Sequence, residues 1–139
     1  MEEKLLSKKY TIQIILAVSI GTFMSALDSS IVNISLPVMS NYFNVSLTTI
    51  EWVVLSYLII ITSLLLTFGR LGDIYGHKKI YITGLVIFTA GSLFCALSPG
   101  IIIIVAARVV QAVGAGMLMS LGPAIITVNS PAKSRGKAL

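Results

Sequence analysis

The chain has 139 residues, 56% of them hydrophobic and only 11% charged, with a mean hydropathy of +0.98. Soluble domains carry about 25% charged residues, so this composition excludes a protein bathed in water on all sides. The formal charge of +5 is divided among short clusters at the ends of apolar blocks, which speaks for membrane topology and against a nucleic-acid-binding face.

A bilayer core about 30 Å thick takes roughly 20 apolar residues of helix, and four blocks approach or exceed that length. The first runs from Ile12 to Leu36 and is expected to stop at Pro37. It follows Lys8 and Lys9 as the apolar part of a signal peptide would, but it is too long and has no small-x-small cleavage site, so it reads as a retained span. The second runs from Ile50 to Phe68, with Thr48 and Glu51 at capping-box spacing before it. The third, Ile80 to Leu97, stops at the breaker Ser98-Pro99-Gly100. The fourth, Ile101 to Val128, stops at Ser130-Pro131. The fold class is all-α integral membrane with four transmembrane helices.

Orientation follows from the bases. Lys4, Lys8 and Lys9 precede the first span. Arg70, Lys78 and Lys79 lie between the second and third, and Lys133, Arg135 and Lys137 follow the fourth. The other two connections hold neither Lys nor Arg. Both ends of the segment are therefore expected in the cytoplasm of a multi-pass cell-membrane protein. Tyr42 and Trp52 at one interface and Tyr10, Tyr75 and Tyr81 at the other read as anchors.

Two ionisable residues fall inside spans, Asp28 and Arg108. Each costs about 2.5–3.5 kcal/mol at a helix centre, so such residues face a protein interior or a wet cavity. Asp28 lies eight residues before Leu36, about 12 Å in, and Arg108 seven after Ile101, about 10 Å in. With the two helices running oppositely, both charges reach one level and are expected to pair or nearly pair in a shared cavity. Gly21, Ser25, Asp28 and Ser35 share one helix face, with Ser29 and Asn33 beside them, and Gln111 follows Arg108 by one turn. A carboxylate placed so can act as a proton switch, since burial favours its neutral form and a nearby guanidinium its charged form.

Ala112, Gly116, Ser120 and Ala124 recur every four residues, with Gly114 and Gly122 alongside. That stripe lets another helix approach closely. The lone Cys95 excludes an intrachain disulfide, and the spacings of a metal site are absent. No Ser/His or Cys/His constellation suggests an enzyme. His77, the only histidine, reads as solvated and not as a pH sensor.

Between the second and third spans stands Gly69-Arg70-Leu71-Gly72-Asp73-Ile74-Tyr75-Gly76-His77-Lys78-Lys79. Topology explains its bases but not three glycines around one Asp, which suit a compact latch. This loop resembles the signature of the major facilitator superfamily, Gly-x-x-x-Asp-basic-x-Gly-basic-basic. Gly69, Asp73, Gly76 and Lys78 match it, while Ile74 and His77 stand where bases are usual. Arg108-Val-Val-Gln111-Ala-Val-Gly114-Ala-Gly116 resembles the family's fourth-helix motif, with Ala112 in place of a glycine. Leu27-Asp28-Ser-Ser-Ile-Val-Asn33-Ile-Ser-Leu36-Pro37 is similar to the first-helix motif of the fourteen-helix drug/proton antiporters, with Ser30 and Ser35 where Thr and Ala are usual.

The resemblance implies that residues 1–139 begin the six-helix N-terminal bundle of an alternating-access transporter. Proton entry would drive export of hydrophobic or cationic drugs, with the proton gradient in place of a cofactor. The partners it implies are the bilayer, a small substrate and further C-terminal helices of the same transporter. By position, Asp28, Arg108, Gln111 and Asn33 would serve proton coupling and the cavity. Gly69, Asp73, Gly76 and Lys78 would form a cytoplasmic gate, and Ala112, Gly114, Gly116 and Ser120 would pack helices. Two rival readings are a complete four-helix exporter of the small dimeric type and a non-transporting membrane scaffold. The first does not need the Asp loop, and the second leaves Asp28 and Arg108 unexplained.

Overall fold

The computed structural model describes residues 2–129, with side chains from residue 11 onward. Five helices follow in order: α1 (Glu2–Phe43), α2 (Leu47–Ile50), α3 (Trp52–Tyr75), α4 (His77–Ala96) and α5 (Ile101–Asn129). Among the described residues, four stretches are long and apolar enough to cross a membrane: Thr11–Phe43, Leu47–Tyr75, His77–Ala96 and Ile101–Asn129. The four spans expected from sequence are these four. Lys4, Lys8, Lys9 and Tyr10, like Pro131, Lys133, Arg135 and Lys137, lie outside the described side chains.

Three helix ends differ from the sequence reading. Pro37 does not end the first span; α1 continues to Phe43 with Pro37 inside it. Pro37 has no N–H to offer the Asn33 carbonyl, but unwinding in hydrocarbon would free several more backbone groups. The stop is Asn44, in the left-handed region at φ 56°. Its N–H donates to the Asn41 carbonyl (3.3 Å) and that of Val45 to the Ser40 carbonyl (3.1 Å), the paired bonds of a Schellman ending. At the next start the cap is Ser46 and not Thr48, its hydroxyl accepting the Thr49 N–H at 3.2 Å. Glu51 makes no side-chain cap bond; it sits at the joint where α2 passes into α3.

The third difference falls on the glycine-rich segment. Residues 69–75 are the last two turns of α3, and α4 begins at His77. The whole connection is Gly76, at φ 94°, a conformation that L side chains rarely adopt. Gly72, read as part of a loop, is helical and buried.

α5 is the central helix. In its most apolar stretch 56% of residues are buried, against 22% in the second and third spans and 11% in α1. Lipid tails are as apolar as leucine, so helices in a bilayer associate through close packing. Small residues on α5 allow it. A Cβ on Gly84 of α4 would lie 2.6 Å from Met117 Cβ and 3.1 Å from the Gly114 carbonyl oxygen, and one on Gly114 would strike the Phe88 backbone. On another face, a Cβ on Gly116 would lie 3.0 Å from the Phe68 ring, and one on Gly69 3.2 Å from Ser120 Oγ. The small-residue stripe thus serves two interfaces: Gly114 meets α4, while Gly116 and Ser120 meet α3. Ala112 is fully buried. The main core gathers Val18, Tyr57, Ile61, Tyr81 and Phe88 around Ala115, Leu118 and Leu121 of α5. A smaller cluster of Ile50, Val53 and Ile104 closes the other end.

Candidate functional site

Asp28 and Arg108 meet. Arg108 lies on the buried face of α5, 2% exposed, and its Nη1 donates to Asp28 Oδ2 at 2.6 Å; the Asp28 side chain is 16% exposed. Gln111, three residues along and so on the same face, is fully buried. Its Nε2 donates to Asp28 Oδ1 at 2.8 Å, and its Oε1 accepts from Arg108 Nη1 at 2.7 Å. Three side chains from two helices form a closed ring. Both carboxylate oxygens are held by donors, as a charge taken out of water requires.

α3 completes the guanidinium's surroundings. Arg108 Nε donates to the Val53 carbonyl at 3.3 Å, and the Arg108 Cζ sits 4.0 Å from the centroid of the Tyr57 ring. A cation over an aromatic face is attracted by the ring's quadrupole, more strongly where water is excluded. Tyr57 shares the lining of a neighbouring pocket with Ser29 of α1. On the α4 side Cys95 Sγ approaches Gln111 Oε1 at 3.7 Å. A Cβ on Gly91 would lie 2.7 Å from both Cα and Cβ of Gln111, so the glycine lets α4 abut the residue that clamps Asp28. One polar cluster therefore ties all four spans together.

Asn33 is not part of it. Five residues on from Asp28, it stands about 140° round the helix and is exposed. Ser25 is buried but donates to the Gly21 carbonyl of its own helix at 3.2 Å. Tyr57 and Gly91 were not read from the sequence as site residues. Their signals were there: a tyrosine in the interior of a span, away from both interfaces, and two glycines, 84 and 91, at heptad spacing in the third span.

At the far end of α3, Asp73 and His77 face each other across Gly76, with Asp73 Oδ1 3.2 Å from His77 Nε2. His77 is thus partnered and only 30% exposed, where the sequence suggested a solvated side chain; Asp73 is 72% exposed. The one-residue corner brings these positions, i and i+4, together. Lys78 and Ile74 are exposed. Gly69 and Gly72 serve helix packing, a Cβ on Gly72 striking Leu121, while only Gly76 is required by backbone conformation. Among the described residues no three His, Cys, Asp or Glu side chains gather as metal ligands would.

Four apolar helices around a buried ion pair define a multi-pass membrane protein with a polar cluster at its centre. The family model described as Major Facilitator Superfamily matches residues 18–139, and the chain belongs to that family of transporters. It is 40% identical over 126 residues to the riboflavin transporter RibZ of Clostridioides difficile, covering 91% of this chain and 28% of that protein. It is 37% identical over 108 residues to the methylenomycin A resistance protein of Bacillus subtilis, covering 78% and 23%. The multidrug resistance protein Stp of Mycobacterium tuberculosis is 33% identical over 126 residues, covering 90% and 24%. The chain spans about a quarter of the length of these relatives.

Proposed function

We propose that the chain works as the N-terminal part of a proton-driven exporter of hydrophobic or cationic compounds. The observation that carries this reading is the ring of Asp28, Arg108 and Gln111. An ion pair inside a membrane protein is costly, and such charges commonly mark ion and proton pathways. Protonating Asp28 removes the negative charge that Arg108 and Gln111 share, which frees α1 from α5 at that level. A cationic substrate near Asp28 would compete with Arg108 for the same carboxylate. Proton and substrate then act on one joint between two helices, which is what coupling by differential binding requires.

The relatives' names support export of drugs and leave the substrate open, since riboflavin stands among them. On this reading the transporter sits in the cell membrane with both ends of the segment in the cytoplasm, a proposal supported by the bases at Arg70, Lys78 and Lys79 and by those towards either end of the sequence. The Asp73–His77 corner then faces the cytoplasm. Gly69, Asp73, Gly76 and Lys78 form a gate there against helices of the second bundle, because alternating access moves one bundle against another. The test is a pH-gradient transport assay on the full-length transporter carrying Asp28→Asn, with lipophilic cations and riboflavin as substrates. Loss of proton-driven transport is expected, and undiminished transport overturns the reading. Asp73→Asn is expected to slow turnover while leaving membrane insertion intact; normal turnover would reduce the corner to a topology signal.

A further inference from the structure

A pocket of about 450 Å³ opens between α1, α3 and α5 on the Gly76 side of the ion pair, a size suited to a drug-like ligand. Its walls are largely apolar, with Leu58, Ile61, Leu118 and Met119 among them. Five hydroxyl-bearing residues line it: Thr22, Ser25, Ser29, Tyr57 and Thr62.

The direction of their hydrogen bonds is fixed by chemistry. Thr22 Oγ1 donates to the Val18 carbonyl at 3.1 Å, and Ser25 Oγ to the Gly21 carbonyl at 3.2 Å. Thr62 Oγ1 donates to the Leu58 and Ile59 carbonyls at 2.9 and 3.1 Å. A carbonyl cannot donate, and a hydroxyl has one proton and two lone pairs. All three protons are therefore committed to the helices' own backbone, and what these hydroxyls present to the pocket is lone pairs. Ser29 and Tyr57 keep protons of their own, so acceptors outnumber donors along these walls. Around Thr22, Ser25 and Thr62 the walls offer lone pairs and no free proton.

We propose that this pocket selects ligands by their hydrogen-bond donors, so that an apolar body carrying N–H groups is favoured over an equally charged one that has none. This rests on the transport reading above but asks for more than positive charge. A ligand acceptor placed against Thr22, Ser25 or Thr62 meets lone pairs and stays unsatisfied, which is costly away from water. A ligand donor is satisfied without moving a side chain. Thr62 is the decisive residue, since its proton is held by two carbonyls and is least free to turn towards a ligand.

The experiment compares two probes in proteoliposomes of the full-length transporter: a lipophilic arylalkyl primary ammonium and its N,N,N-trimethyl counterpart, which keeps the charge and lacks N–H. Thr62→Val removes the acceptor at nearly constant shape. It is expected to raise KM for the primary ammonium by about five- to tenfold, the factor one ordinary hydrogen bond supplies, and to leave the trimethyl probe's KM unchanged. Thr62→Ser restores the acceptor and the lower KM, and continued transport of the trimethyl probe reports that the Val variant is folded. Equal shifts for both probes, or none for either, overturn donor selection while leaving proton-driven export standing. Transport of neither probe by the unsubstituted protein overturns both readings.

Discussion

Asp28→Asn in the full-length protein isolates the ion pair as a structural element. Asparagine keeps one acceptor oxygen and replaces the other with an NH2 group. Asp28 Oδ2 now takes Arg108 Nη1 at 2.6 Å and Oδ1 takes Gln111 Nε2 at 2.8 Å, so whichever way the amide turns, two donors face each other. Arg108, 2% exposed, then has no ionic partner and keeps the Gln111 and Val53 oxygens, the Tyr57 face and at most a neutral amide oxygen. Removing one partner of a buried pair costs about 3–5 kcal/mol. The 16% exposure of Asp28 and the remaining Arg108 contacts place this case near about 3 kcal/mol, or roughly a hundredfold in the folding equilibrium. Replacing both charges, as Asp28→Asn with Arg108→Met, leaves no uncompensated ion and is expected to cost less than Asp28→Asn alone. The assay is a double-mutant cycle read by unfolding in detergent. Single-variant costs below about 1 kcal/mol that simply add in the double variant would refute the reasoning and make the pair an incidental contact.

Three further outcomes are expected. Gly114→Val drives a side chain into the Phe88 backbone, so it should cost at least about 1–3 kcal/mol and lower the yield of folded protein in size-exclusion profiles. Asn44→Gly should be neutral or slightly stabilising at φ 56°, whereas Asn44→Ala should lower stability by about 1–2 kcal/mol; thermal melts in detergent separate them. Gly76→Ala meets no neighbouring atom within 4 Å, yet at φ 94° it should lose about 1–3 kcal/mol from backbone strain alone, measurable in the same melts.

The spans were legible because the bilayer demands long apolar runs, and the meeting of Asp28 with Arg108 because depth along two antiparallel helices can be counted. The helix ends were not. Pro37 is a breaker by the rules of soluble proteins, but in hydrocarbon the backbone has no other partner than its own helix, and α1 runs through it. Gly72 is a packing residue that happens to stand near a turn. Asn33 was read as lying beside the Asp28 face, but five residues carry it about 140° round the helix, where it is exposed. Tyr57 was missed because aromatic residues in spans were read as interface anchors, although this one lies near neither end. Gly91 acts through Gln111 on another helix, and only the packed structure shows that pairing.

The single residue between α3 and α4 constrains how the protein is made as well as how it stands. Two apolar helices joined by Gly76 alone have no tether long enough for one to cross while the other waits in water. Such a joint favours entry as a hairpin, with Arg70, Lys78 and Lys79 held on the side of entry by the cost of carrying charge through hydrocarbon. An epitope or glycosylation acceptor inserted at this corner would give the second helix the freedom to lag, converting a paired insertion into two separate and less certain ones.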